Sequence, residues 1–365
     1  MDLVPQQGTP SVPNDVMLQP PAQDTPGLAV FFGPYGLRAG WSLLIFVFIV
    51  FILGLAIGGV YKHVHPHHAA TAAAKSQQHA AATVQAQETA PFEILFSHGI
   101  PLAVVAFASW IMTFIERRRF GVYGFGGVQR VSDCAKGLLT GVVMLSLLVG
   151  ALRMSHLLVF DGIALSGSTA VLYGLKWLAG FALVGIAEEY MFRGYLQYTL
   201  GRGLSGILPR GNAYRNMLGF WLAATLLSSL FFLGHTGNAG ESPIGLLSVF
   251  LVGLVLAYSL WRTGSLWWAI GFHAAWDWAQ SYLYGVHDSG MVSKGRLMNT
   301  HPAGNVLLSG GLTGPEGSLF ILGVLLIVVV LIRTTLPKRE HPTLFPLNLP
   351  AEMSQPEWSE TAPAV

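Results

Sequence analysis

Val171–Leu200 reads VLYGLKWLAGFALVGIAEEYMFRGYLQYTL. Its first part is an apolar run of the length a membrane-spanning helix needs, about 20 residues. That run ends in two adjacent carboxylates, Glu188 and Glu189, with Arg193 one helical turn further on. Charged side chains are expensive at bilayer depth, so ionisable residues in such a run mark function by default. In a helix, Glu189 and Arg193 stand four apart on one face and can pair. Glu188 points about 100° away. One acid is held by the guanidinium, and the other is free to act as a general base towards water. The plain alternative is an ion-pair network that only fixes helix packing.

Two later apolar segments carry ionisable groups of the same kind. His235 ends SSLFFLGH, and His273 and Asp277 lie four apart in IGFHAAWD. A carboxylate at that spacing can fix an imidazole's tautomer and leave its second nitrogen for a cavity. Taken singly, His235 reads as an interfacial residue, the His273–Asp277 pair as structural, and Trp267, Trp268, Trp276 and Trp278 as packing or interface aromatics. Three segments with buried polar groups are harder to explain separately than as one water-activating site.

Composition places that site in a membrane protein. The 365 residues are 52% hydrophobic and 10% charged, where soluble domains carry about 25% charged residues. Apolar runs predict an all-α, polytopic transmembrane helix bundle of about eight spans: 41–61, 95–115, 135–154, 170–192, 216–234, 244–262, 264–284 and 317–334. The fourth is expected to continue as helix to about residue 200. Cationic residues cluster in the 116–136 loop, in the 193–215 segment, at Arg262 and after the last span. All fall on one side, so the positive-inside rule puts both termini in the cytoplasm, and the charge pattern with no disulfide is compatible with a bacterial inner membrane. The net charge of +2 with no basic face argues against a nucleic-acid partner, and the lone Cys134 excludes an internal disulfide.

The remaining segments differ in texture. Residues 1–40 and 336–365 read as disordered tails, the first closing on a possible interfacial lead-in, FFGPYGLRAGW. Residues 41–61 form an N-terminal anchor, and 93–335 form the main bundle. Between them, 62–92 is an Ala/Gln/His-rich linker whose His63, His65, His67 and His68 are metal-capable, although a solvated linker is the plainer reading.

The ordered motifs Glu188-Glu189-x-x-x-Arg193, Phe231-x-x-x-His235 and His273-x-x-x-Asp277 resemble the CPBP intramembrane proteases, also called Abi or CAAX-protease-like proteins, over about 95–335. The resemblance implies a type II CAAX prenyl endopeptidase-like activity on a protein or peptide in or at the membrane. Glu188 with His235 would activate water, His273 and Asp277 would orient or stabilise the oxyanion, and Glu189 and Arg193 would support them. It implies either a metal-free site, the favoured version with no cofactor, or a Zn²⁺ site held by Glu188, His235 and His273; the HExxH helix motif is absent. Eukaryotic relatives trim prenylated CAAX proteins, and bacterial ones are linked to peptide maturation, bacteriocin immunity and membrane-protein regulation. TGPEGS at 313–318 resembles the loop before this family's last helix; as plain helix-start chemistry, Glu316 would complement the dipole.

Two readings of another kind stand beside this one: a non-catalytic scaffold or immunity protein, and a proton- or cation-coupled transporter. Gly203-Leu204-Ser205-Gly206 matches the rhomboid GxSG pattern but reads as a turn in a basic loop. Straight spans also pose a problem of depth. They put His235 near the outer end of span five and Glu188 at mid-depth or lower in span four. For these to meet, helix five must start later and sit lower, or the spans must tilt, and 234–243, a poor helix, must dip into a cavity.

Overall fold

A computed structural model describes residues 28–33, 36–64, 87–127, 129–208, 214–238 and 240–338. The expected tails and the linker, with His65, His67 and His68, lie mostly outside these residues. Helices occupy every segment read as a span, and the protein is a polytopic helical bundle. α1 is Ala39–Val64, α2 Pro91–Glu116, α3 Arg130–Met154, α5 Arg215–His235 and α6 Pro243–Thr263. α4 is one long helix, Gly167–Ile207. α7, Trp267–Asp277, runs on into a π-helical stretch, Trp278–Leu283; α8, Val306–Ser309, is a single turn, and α9 is Phe320–Thr335. By length and hydropathy six of these can cross a bilayer, α1 to α6. α7 and α9 coincide with the other two expected spans but are shorter.

Local chemistry sets several boundaries. Pro91 opens α2, and the Glu93 carboxylate accepts the Ala90 N–H at 3.0 Å. Ser242 caps α6 by accepting the Gly245 N–H at 2.9 Å; Pro243 follows it, and Gly264, with φ 69°, ends the helix. The outer surface is rich in exposed Leu, Phe, Val and Ile, such as Phe48, Phe51, Leu139, Leu226 and Leu326. In a lipid solvent that is where large apolar side chains belong. The interior holds Leu145, Leu148, Leu256, Trp268, Phe272 and Val328 in one cluster, and Met112, Tyr123, Tyr190 and Tyr195 in another.

α3 and α7 lie backbone to backbone. A Cβ on Gly137 would collide with the Trp268 carbonyl, and one on Gly271 with the Cys134 carbonyl. Such close approach is what small residues permit at membrane helix contacts, and it fixes the helix that carries His273 and Asp277.

The little sheet present consists of two-stranded pairs. β1, Phe32–Gly33, pairs antiparallel with β2, Gly36–Leu37, within the lead-in to α1. β3, Gln87–Thr89, pairs in parallel with β5, Met291–Ser293, and β4, Leu158–Ile163, pairs antiparallel with β6, Met298–Pro302. β3 thereby ties the start of α2 to the loop between α7 and α8.

The 193–215 segment needs correction. It is not a basic loop, because α4 continues to Ile207, past the expected end near residue 200. Arg193 and Arg202 are buried in the bundle. Arg202 donates to the Leu37 carbonyl at 2.8 Å and to Ser42 Oγ at 3.1 Å, and stands 3.6 Å from Glu116. It thus ties α1 to the core. The GxSG match is likewise not in a turn: Ser205 is buried in α4, where a Cβ on Gly219 of α5 would collide with its Oγ. It is a helix-crossing residue.

The same extension resolves the depth problem. α5 packs antiparallel on the last part of α4, from residue 215 opposite residue 207. Rising 1.5 Å per residue, about 28 Å back along α4 reaches Glu188, and about 30 Å along α5 reaches His235. The two side chains therefore arrive at one level.

Candidate active site

α4 changes its winding at the motif. Gly167–Glu189 is α-helical, Tyr190–Leu196 is π-helical, and Gln197–Ile207 is α-helical again. A second π-helical stretch follows Asp277 directly. Both helices that carry paired site residues thus switch register there, a feature π-turns often show at functional sites.

Glu189 and Arg193 are paired and almost wholly enclosed. Arg193 Nη1 donates to Glu189 Oε1 at 3.1 Å, and its guanidinium lies 4.8 Å from the centre of the Phe231 ring. His273 Nδ1 reaches the same Glu189 oxygen at 2.9 Å. A carboxylate can only accept here, so Nδ1 carries a proton. The acid that holds the imidazole is therefore Glu189, whereas the i, i+4 spacing had suggested Asp277. Asp277 instead stands 3.4 Å from His273 Nε2, with Glu188 3.8 Å from the same nitrogen.

Glu188 faces a cavity, as its 100° offset from Glu189 predicts. The cavity holds about 560 Å³ and is lined by Glu188, His235, His273 and Asp277 among others. His235 closes α5 with Nδ1 2.8 Å from the Phe231 carbonyl. Because a carbonyl only accepts, Nδ1 is the donor, and a neutral His235 keeps its lone pair on Nε2. Gly234, Gly237 and Asn238 line the cavity with it, so the non-helical stretch after α5 does border the site. All four expected site residues share this one space, and Glu189 and Arg193 lie directly behind it.

The cavity also contains groups the motifs did not flag. His98, on α2, stands 3.5 Å from Glu188 Oε1. It is an ionisable residue in an apolar span, and the criterion applied to α4, α5 and α7 applies to it equally. Asp288 and Glu316 come from loops, which hydropathy cannot align. Ser281 Oγ donates to Asp288 at 2.7 Å; Ser289 donates to Glu316 Oε1 through both its N–H and its Oγ, each at 3.0 Å. Glu316 is thus more than a helix-start acid, because it fastens the loop before α9 to the loop after α7.

Burial raises the Glu316 carboxyl well above the usual carboxylate range, and repulsion from Asp288, Asp277 and Glu241 adds to this; the Ser289 hydrogen bond opposes it. A folded acid with a raised pKa holds its proton when the unfolded chain has lost it. Its contribution to stability therefore declines as pH rises from about 4.5, the ordinary value, through the raised one. Glu316→Gln keeps an acceptor for Ser289 without the charge. It should melt on the order of 2–4 °C above the wild type at pH 8, with the gain vanishing towards pH 4.5. A gain that is the same at both pH values would mean the charge is not the cause.

A Zn²⁺ ion held by Glu188, His235 and His273 would need the three side chains to converge on one point. Among the described residues no three His, Cys, Asp or Glu side chains are grouped to hold a metal ion.

Residues 170–279 match the family model described as Type II CAAX prenyl endopeptidase Rce1-like. That segment contains EExxxR, FxxxH and HxxxD, together with the helices that carry them. No curated protein and no solved structure matches the chain significantly. The bundle of bilayer-length apolar helices makes this an integral membrane protein, and within it residues 170–279 are similar to the type II CAAX prenyl endopeptidase Rce1-like family.

Proposed function

We propose that the protein is an intramembrane endopeptidase that hydrolyses a peptide bond of a membrane-associated substrate with a water activated by Glu188. The observation that carries this reading is the single cavity shared by Glu188, His235, His273 and Asp277. Glu188 takes a proton from water, and the resulting hydroxide adds to the scissile carbonyl. His235, with Nε2 as its acceptor, binds the water and shares the proton. A His273 protonated at both nitrogens donates one N–H to Glu189 and offers the other to the developing oxyanion. A preorganised donor of this kind is worth about 3–4 kcal/mol. Asp277 sets the position of that second nitrogen. Collapse of the intermediate breaks the C–N bond, and the proton held by Glu188 and His235 passes to the leaving amine. No step requires a metal.

The substrate class follows from the family and the cavity together. Its apolar wall, with Phe181, Val184, Val249, Val252 and Leu325, suits a lipid-modified or hydrophobic C-terminal segment, CAAX-like in type. We read both chain ends as cytoplasmic, since the loop cations that remain after Arg193 and Arg202 are removed still fall on one side.

The test is cleavage by the purified protein in detergent of quenched peptides, farnesylated and unmodified, with and without a strong chelator. The expected result is cleavage that survives chelation. Loss with chelator and rescue by Zn²⁺ would replace the metal-free mechanism. Absence of cleavage together with Glu188-dependent proton flux in proteoliposomes would make the protein a transporter.

A further inference from the structure

Glu188 is approached from two sides. His273 on α7 lies towards Oε2, at 3.8 Å, and His98 on α2 lies towards Oε1, at 3.5 Å. α2 lies wholly outside the segment 170–279 that defines the family match. The motifs therefore account for one imidazole at this carboxylate and leave the other unexplained.

The environment of His98 holds it in place. β3 pairs with β5 and anchors the start of α2, and the buried Ile94 packs among Trp177, Phe181 and Val184. Further along, Gly99 faces α4, where a Cβ would sit in contact with Leu183 at 3.4 Å. Pro101 lacks the N–H that would bond the Ser97 carbonyl four residues back, which loosens the helix beside His98. The side-chain hydrogen bonds then set the tautomer. A carboxylate only accepts, so the nitrogen facing Glu188 carries the proton, and Ser97 Oγ, 3.0 Å from His98 Nδ1 and 3.3 Å from the Ile94 carbonyl, gives its proton to Nδ1. Nδ1 is therefore the acceptor from Ser97, and the Nε2–H is the donor presented to Glu188 Oε1. Both side chains line the cavity and keep some exposure, 27% for His98 and 20% for Glu188.

We propose that His98 is a positioning residue for Glu188, holding Oε1 so that Oε2 is turned to the attacking water between His235 and His273. This rests on the reading of Glu188 as the general base. A carboxylate on a flexible side chain in a cavity of about 560 Å³ samples several rotamers unless something fixes it, and small misplacements of a catalytic group are costly in rate. Ser97 and Pro101 form the support that keeps the imidazole in register.

The experiment compares His98→Gln and His98→Gly with Glu188→Gln in the peptide-cleavage assay, each checked for an unchanged gel-filtration profile and melting temperature. His98→Gln should lower kcat about 10–100-fold with KM within about 2-fold, because a positioning residue acts on chemistry more than on binding. Added imidazole should restore part of the His98→Gly activity, which a purely structural loss would not allow. Adding His98→Gln to Glu188→Gln should cost nothing further. Wild-type kcat in both His98 variants, with Glu188→Gln inactive, would overturn this proposal and leave the base intact. So would a loss that imidazole does not restore and that is shared equally by kcat and KM. Wild-type cleavage by Glu188→Gln would instead remove the base itself, and the role of His98 with it.

Discussion

Glu188→Gln should leave a folded protein that cleaves about 10²–10⁴-fold more slowly. Glutamine has the shape of glutamate and can still accept from its neighbours, but it cannot take a proton from water. Glu188 is only partly enclosed and makes no hydrogen bond shorter than its 3.5 Å approach to His98, so removing its charge exposes no buried partner to an unmet cost. Melting temperature should stay within a few degrees while kcat falls, which separates chemistry from stability. Glu188→Asp should be intermediate: it keeps the base and withdraws it by one methylene, and misplacement of that size costs about 10²-fold. His235→Ala should lose less than Glu188→Gln, because its Nε2 assists a proton transfer that Glu188 begins. A Glu188→Gln protein with wild-type kcat/KM would end the glutamate-base mechanism.

Most of the helices, and the four residues that share the cavity, could be read from residue type and spacing. Apolar runs mark helices whatever their partners, and charged residues inside those runs are rare enough to be informative. Packing supplied what spacing could not. α4 was expected to end near residue 200, with the 193–215 segment read as carrying loop charges; it continues with Arg202 inside the bundle, where Glu116 neutralises it and Leu37 and Ser42 take its donors. With α4 cut short, His235 stood at the wrong depth. The partner of His273 was misassigned for a similar reason. An i, i+4 rule sees only neighbours on one helix, whereas Glu189 reaches His273 from another. The π-helical stretches after Glu189 and Asp277 carry no sequence mark that the motifs exploit. His98 was legible by the same criterion as the other residues, but it lies outside the three motifs.

Arg193→Met should be the most destabilising of the site substitutions, by about 3–5 kcal/mol, and should also abolish cleavage. Glu189 is fully buried, and Arg193 is only 3% exposed. Without the guanidinium, the carboxylate keeps His273 Nδ1 as its one remaining hydrogen-bond donor. The carboxylate, enclosed among Phe231, α6 and α7, is then left with His273 as its one cationic partner. Methionine fills much of the same volume, so the loss measures charge rather than a cavity. The double variant Glu189→Leu with Arg193→Met should recover most of the stability, because replacing both members of a buried pair by apolar groups removes the desolvation cost with the attraction. It should recover none of the activity. His273 would have lost the acceptor that fixes its Nδ1 proton and ring orientation, and an acid in that role can be worth up to about 10⁴ in rate. Thermal melting and kcat measured on the two single variants and the double separate these effects. A double variant that is stable and active would make Glu189 and Arg193 packing residues alone. One that is stable and inactive would assign the pair its second task, which is to hold the imidazole beside Glu188.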